Sequence, residues 1–150
     1  MTALSVRQME QAWVTQYMHK KKALVIVGPV GCGKTQWLRS IRALHGDVAK
    51  IASARDLLAT WNYDLLAGAR ILMLDGITPA ELKEVRETII GLTRGKSRVL
   101  RRKGLPDVVR TGPVQVVMTS SNPRIVTLLA GDRRFRVINL VETVKRTESS

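Results

Sequence analysis

The stretch GPVGCGKT, Gly28 to Thr35, constrains this chain more than any other feature. An apolar run, Ala23 to Val27, leads into it, and a segment with helical spacing, Lys34 to about Leu44, follows. A buried strand that stops at a glycine-rich turn and restarts as a helix aims backbone N–H groups and a positive helix end at one point, which suits a phosphate. The pattern G-x-x-x-x-G-K-T is complete, and its strand–loop–helix context is the one such a loop requires. Phosphate contacts are therefore expected from Gly28, Pro29, Val30, Gly31, Cys32, Gly33, Lys34, Thr35 and Gln36. The Lys34 ammonium is placed to bridge β- and γ-phosphates and the Thr35 hydroxyl to ligate Mg²⁺, so the implied cofactors are ATP and Mg²⁺.

The rest of the chain repeats that alternation. Val48–Ala52, Arg70–Gly76, Val114–Thr119 and Phe135–Leu140 read as further strands, and the short apolar runs point to burial on both faces. Between them, Ser53–Ala59 reads as a short helix started by Ser53. A longer helix runs from Pro79 through Leu92 after Thr78, and a short one spans Pro123–Leu129. Ser5–Tyr17, with Val6, Met9, Trp13 and Tyr17 at helical spacing, predicts an N-terminal helix that ends in the basic His19–Lys22. Strands alternating with helices give an α/β fold: a central, mainly parallel five-stranded sheet flanked by helices. One domain is expected over 23–142, preceded by the helix and basic connector of 1–22 and followed by a polar tail, 143–150.

Two strand ends carry polar groups suited to the same site. Asp75 closes ILMLD, as an acid holding the metal from a neighbouring strand would. The next residue is Gly76, where a second acid would polarise the attacking water, so Glu81 and Glu84 on the following helix are the nearest substitutes. Asn122 closes VVMTSSN and can either reach the γ-phosphate and its water or cap the helix that follows.

Net charge is +13, and between Arg94 and Arg110 seven basic residues face a single acid, Asp107. Charge concentrated in this way marks a polyanion partner, usually nucleic acid. Ser97–Arg102 and Val108–Arg110 read as a β-hairpin around that charge, with Lys103-Gly104 at its turn. Arg98, Arg101, Arg102 and Lys103 are the expected contacts. The hairpin carries no aromatic residue, so nucleic acid is expected to be held by its phosphates without sequence preference. No apolar run reaches the length of a membrane span and no leader pattern is visible, so no membrane partner is expected. The lone Cys32 excludes an internal disulfide and fits a reducing, intracellular setting.

Taken in order, GPVGCGKT, ILMLDG, SRVLRRKG and VVMTSSNP resemble the superfamily 3 helicases of the AAA+ class, found in small DNA viruses and plasmids. The helix TPAELKEVRETIIG resembles the one linking acid to hairpin in their replication-initiator branch. The resemblance spans roughly Ala23 to Leu140 and implies a P-loop ATPase fold with a basic hairpin. It further implies a homo-oligomeric ring, a hexamer in that family, in which Lys103 contacts single-stranded DNA. It also implies an arginine before the last strand, Arg134 with Arg133 as runner-up, that reaches a neighbour's ATP. Asp132 beside it offers the alternative of an ordinary ion pair. Viral or plasmid replication inside a host cell, with a separate initiator or loading protein, completes that expectation. Two rival readings stand beside it: a nucleotide-switched DNA-binding or packaging accessory with weak hydrolysis, which Gly76 favours, and a P-loop kinase of a small molecule.

Overall fold

The computed structural model describes residues 22–140. The expected helix Ser5–Tyr17, most of the 1–22 connector and the tail Thr143–Ser150 lie outside the described residues. In chain order the elements are β1 (Ala23–Val27), α1 (Lys34–His45), β2 (Ala49–Ala52), α2 (Ala54–Leu57), α3 (Tyr63–Leu66), β3 (Ile71–Leu74) and α4 (Pro79–Arg94). β4 (Arg98–Leu100), β5 (Val108–Arg110), β6 (Gln115–Ser120), α5 (Arg124–Leu129) and β7 (Phe135–Asn139) follow.

Five strands form one parallel sheet in the order β2-β3-β6-β1-β7, so β1 lies between the strands that end near Ser120 and Asn139. All five residues of β1 and all six of β6 are buried, as expected for strands covered on both faces. Pleating divides β1 between two cores. Ala23, Val25 and Val27 pack with Leu82, Val85 and Ile89 of α4, whereas Leu24 and Ile26 pack with Trp37, Leu38 and Ile41 of α1. Burying one such aliphatic side chain stabilises by about 1.5–3 kcal/mol, and the two helical layers draw on that from opposite sides.

Local signals place the helices. Ser53 and Asp56 close a capping box on α2, and Thr78 and Glu81 close another on α4, with Pro79 in its first turn. α3 is a single turn that the hydropathy pattern does not announce. All loops after β1, β3 and β6 gather at the carboxyl edge of the sheet, where open parallel sheets bind ligands. The antiparallel hairpin β4-β5 forms its own two-stranded sheet, reached from the end of α4 and leading into the start of β6. It therefore stands at the opposite, amino edge.

Candidate functional site

The loop after β1 borders a cavity of about 420 Å³ lined by Val30, Gly31, Gly33, Lys34, Thr35, Gln36, Asp75, Gly76 and Ser121. Gly33 precedes α1 with φ 95°, a left-handed conformation that costs an L side chain about 1–2 kcal/mol. Among the described residues no side chain caps α1, and its first turn holds no acid, so its N–H groups there keep their affinity for an anion. Gly28 is needed for space: a Cβ there would lie 3.0 Å from the Cys32 Sγ and 3.1 Å from the Leu140 Cβ. Lys34 is buried, and its Nζ donates to the Gly28 carbonyl at 2.6 Å and the Pro29 carbonyl at 2.9 Å. Those bonds satisfy a buried ammonium that would otherwise be costly.

Asp75 stands on the far wall and is held from both sides. The Thr35 hydroxyl donates to its Oδ2 at 2.8 Å, and the Thr119 hydroxyl donates to its Oδ1 at 2.6 Å. The Gly76 N–H in turn donates to the Thr119 Oγ1 at 3.0 Å, so the Asp75 carboxylate, the turn after it and strand β6 form one network. A hydroxyl and a carboxylate oxygen this close are hard donors that suit Mg²⁺, which binds through few protein ligands and completes its shell from water and phosphate. Among the described residues no group of three or more His, Cys, Asp or Glu side chains able to hold a metal occurs.

The other acids and the asparagine are placed differently. The Glu81 Oε1 accepts from the Thr78 N–H at 3.0 Å, which employs this carboxylate as a helix cap rather than bringing it to the cavity wall. Glu81, expected as a substitute for a water-polarising acid, is thus held in this structure at the start of α4. Glu84 is exposed on α4 and does not line the cavity either. Gly76 itself has φ 72°, so the position after Asp75 is built for glycine. The Asn122 Oδ1 accepts from the Arg124 N–H at 3.0 Å, closing the turn that leads into α5, and the chain just after β6 presents Ser121 to the cavity. The spacing of VVMTSSN draws attention to its asparagine, and nothing in the pattern singles out the serine before it.

Arg134 is engaged within the chain. Its Nε and Nη2 donate to the two oxygens of Asp132 at 2.9 and 3.0 Å, and Arg86 of α4 also bonds that carboxylate. Hydrogen bonds from Arg134 hold the Asp132 carboxyl well below the usual carboxylate range. Arg133 is exposed and its side chain has no polar partner among the described residues.

At the other edge of the sheet, Lys103 and Gly104 form the hairpin turn, which the Leu105 N–H closes on the Arg102 carbonyl at 3.2 Å. Arg101 and Lys103 are exposed there, as the sequence pattern anticipates. Arg102 is partly used: its guanidinium lies 4.6 Å from the centre of the Tyr63 ring and donates to the Pro106 carbonyl at 3.3 Å. Arg98 sits opposite Arg110 in the ladder and is half-buried at the hairpin base rather than at the tip. The loop before α3 docks the hairpin. The Asn62 Oδ1 accepts from the Arg101 N–H at 3.3 Å, and the Tyr63 N–H donates to the Arg101 carbonyl at 3.3 Å. That docking brings Trp61, 57% exposed, against the tip, where it shares a pocket with Arg101, Arg102 and Leu105. The hairpin has no aromatic of its own, but the fold supplies one beside it.

Among the described residues no helix is long and apolar enough to cross a membrane. Two solved proteins share the architecture. The apo C-terminal region of NrS-1 superposes with a TM-score of 0.67 at 19% identity, over 86% of this chain and 31% of that one. A JCV helicase crystallised with an acetamide ligand gives a TM-score of 0.52 at 22% identity, over 80% of this chain and 36% of that one. This chain thus spans about a third of the length of each. No protein-family model and no curated protein matches the sequence. The likeness and the topology together establish an α/β fold of the P-loop NTPase type.

Proposed function

We propose that residues 23–142 form an ATP-dependent motor of the superfamily 3 helicase type, which binds Mg²⁺-ATP at the carboxyl edge of the sheet and single-stranded nucleic acid at the hairpin. The observation that carries this reading is the Thr35–Asp75–Thr119 network, which joins the phosphate loop to the acid-bearing strand across one cavity. Lys34 releases its two carbonyls to take the β- and γ-phosphates, while the loop N–H groups and the start of α1 hold the β-phosphate. When bound, Mg²⁺ offsets phosphate charge, with Thr35 and Asp75 as its protein ligands. Ser121 is placed to contact the γ-phosphate or its water. Lys103 and Arg101 grip strand phosphates, and Trp61 offers a ring for stacking, which is tolerant of sequence. On this reading the working form is a homo-oligomeric ring acting in viral or plasmid DNA replication within a host cell, served by a separate initiator or loading protein.

The test is Mg²⁺-dependent ATP hydrolysis with and without single-stranded DNA. Stimulation by the strand, abolished in Lys34→Ala, is the expected result. A Lys34→Ala variant that hydrolyses ATP like the unmodified chain overturns the site. One observation favours a second reading, a nucleotide-switched DNA-binding accessory with little turnover: Asp75 is the only acid lining the cavity among the described residues. Strand affinity that responds to ATP without measurable hydrolysis would select it. Phosphate transfer to a small acceptor would instead reveal a kinase.

A further inference from the structure

The amino edge of the sheet holds a groove that neither the phosphate loop nor the hairpin tip accounts for. One part is a cavity of about 420 Å³ bounded by His45, Arg70, Arg110, Thr111 and Gln115. A second part, of about 550 Å³, continues along the flank of β5 past Tyr63 and Gly68, and the two share Val48, Arg70, Arg110 and Thr111. Among the described residues no acid lines either part. Arg70 is exposed and its side chain has no polar partner among the described residues. Its backbone is nevertheless fixed, since its N–H donates to the Val48 carbonyl at 2.8 Å and its carbonyl accepts from the Gln115 N–H at 2.9 Å.

Arg110 forms the opposite wall and is anchored by donating to the carbonyls of Leu66 and Ala67 at the end of α3. It faces Arg98 across the hairpin ladder, and neither guanidinium is bonded to an acid among the described residues. Like charges directly opposite in a ladder are unfavourable, and among the described residues no acid offsets this pair. A mobile counterion can serve, but a concave, acid-free track that begins on the flank of a basic hairpin fits an extended anion better.

We propose that this groove is a second phosphate-binding track, through which single-stranded nucleic acid held at the hairpin tip continues along β5 to Arg70. The proposal rests on the nucleic-acid reading above and adds to it a path and a residue. Arg70 makes the distal phosphate contact, and Arg110 sets the wall.

Equilibrium binding of homopolymeric deoxyoligonucleotides of increasing length tests it, with the unmodified chain, Arg70→Ala, Arg70→Lys and Lys103→Ala. Affinity should rise with length as strands extend beyond the tip. Arg70→Ala should remove that added affinity, about three- to tenfold, and flatten the log–log salt slope by about 0.7, the value for one single-strand phosphate contact. Arg70→Lys should retain most of it. Lys103→Ala should weaken short and long strands alike. Nucleotide affinity measured on the same Arg70→Ala sample reports that the fold is intact. Long-strand binding by Arg70→Ala equal to that of the unmodified chain overturns the track and leaves the hairpin reading standing. Absence of strand binding by the unmodified chain overturns both. Full displacement of the long-strand increment by millimolar inorganic phosphate assigns the groove to a free anion and overturns the strand path.

Discussion

Thr119 decides how Asp75 can be used. Its hydroxyl accepts from the Gly76 N–H and donates to the Asp75 carboxylate, so one side chain fixes both the acid and the turn behind it. Thr119→Val keeps the shape and deletes the hydroxyl, leaving a part-buried N–H without its acceptor. A stability loss of about 1–3 kcal/mol is expected in denaturant unfolding, with a fall in hydrolysis beyond what unfolding explains. Ser121 and Asn122 should separate in the opposite way. Asn122→Ala deletes the turn bond to the Arg124 N–H and should cost about 0.5–1.5 kcal/mol of stability while nucleotide turnover holds. Ser121→Ala should leave the unfolding midpoint in place and lower turnover. If Asn122→Ala instead abolishes turnover without loss of stability, the asparagine and not the serine serves the γ-phosphate. An acid placed as Gly76→Glu would have to adopt a left-handed backbone, so no gain in turnover is expected from it.

At the scale of elements, the hairpin acts through what holds it. Asn62 is buried and its side-chain oxygen meets the Arg101 N–H, while Tyr63 packs under Arg102. Asn62→Ala should therefore loosen the tip, weakening single-strand binding several-fold while leaving nucleotide affinity unchanged. Calorimetric titration of both ligands against the one variant checks this, and equal loss of both would mean a general unfolding. The buried strands, α1 and α4 are legible in the sequence because apolar runs, caps and a loop pattern state them locally. The Lys34–Thr35–Asp75 set is legible for the same reason. The docking that sets Trp61 beside the hairpin is not, since 39 positions separate Asn62 from Arg101 and α3 is too short to show a period. Glu81 reads two ways in the sequence because the same Thr78–Glu81 spacing serves as a cap and as a supply of acid, and the bond to the Thr78 N–H shows the cap.

In the whole molecule the two proposed binding edges lie at opposite ends of the sheet, about 13–20 Å apart for strands of four to six residues. α4 spans that distance as a rod of 16 residues, about 24 Å long, from the turn after Asp75 to the base of the hairpin. A ring of copies would add a second link, through an arginine offered to the neighbour's nucleotide, and the two candidates differ in what they give up. Arg134 is bound to Asp132, whose depressed carboxyl pKa means that this contact stabilises the fold above the ordinary carboxylate range and is lost as pH falls through and below it. Arg134→Ala should thus lower the unfolding midpoint at pH 7, and the difference from the unmodified chain should shrink toward acid. Arg133 is exposed and has no such tie, so Arg133→Ala should leave stability unchanged. If Arg133 is the shared residue, Arg133→Ala subunits still bind ATP and lack only the group given to a neighbour. Lys34→Ala subunits lack the nucleotide and keep that group. Mixing the two inactive proteins should then restore part of the hydrolysis, because each mixed interface in one orientation pairs an intact phosphate loop with an intact arginine. Restoration with Arg134→Ala and none with Arg133→Ala would assign the role to Arg134 and show that its bond to Asp132 opens on assembly. Hydrolysis strictly linear in protein concentration across the range of assembly, with no restoration in either mixture, would place the whole reaction within a single copy.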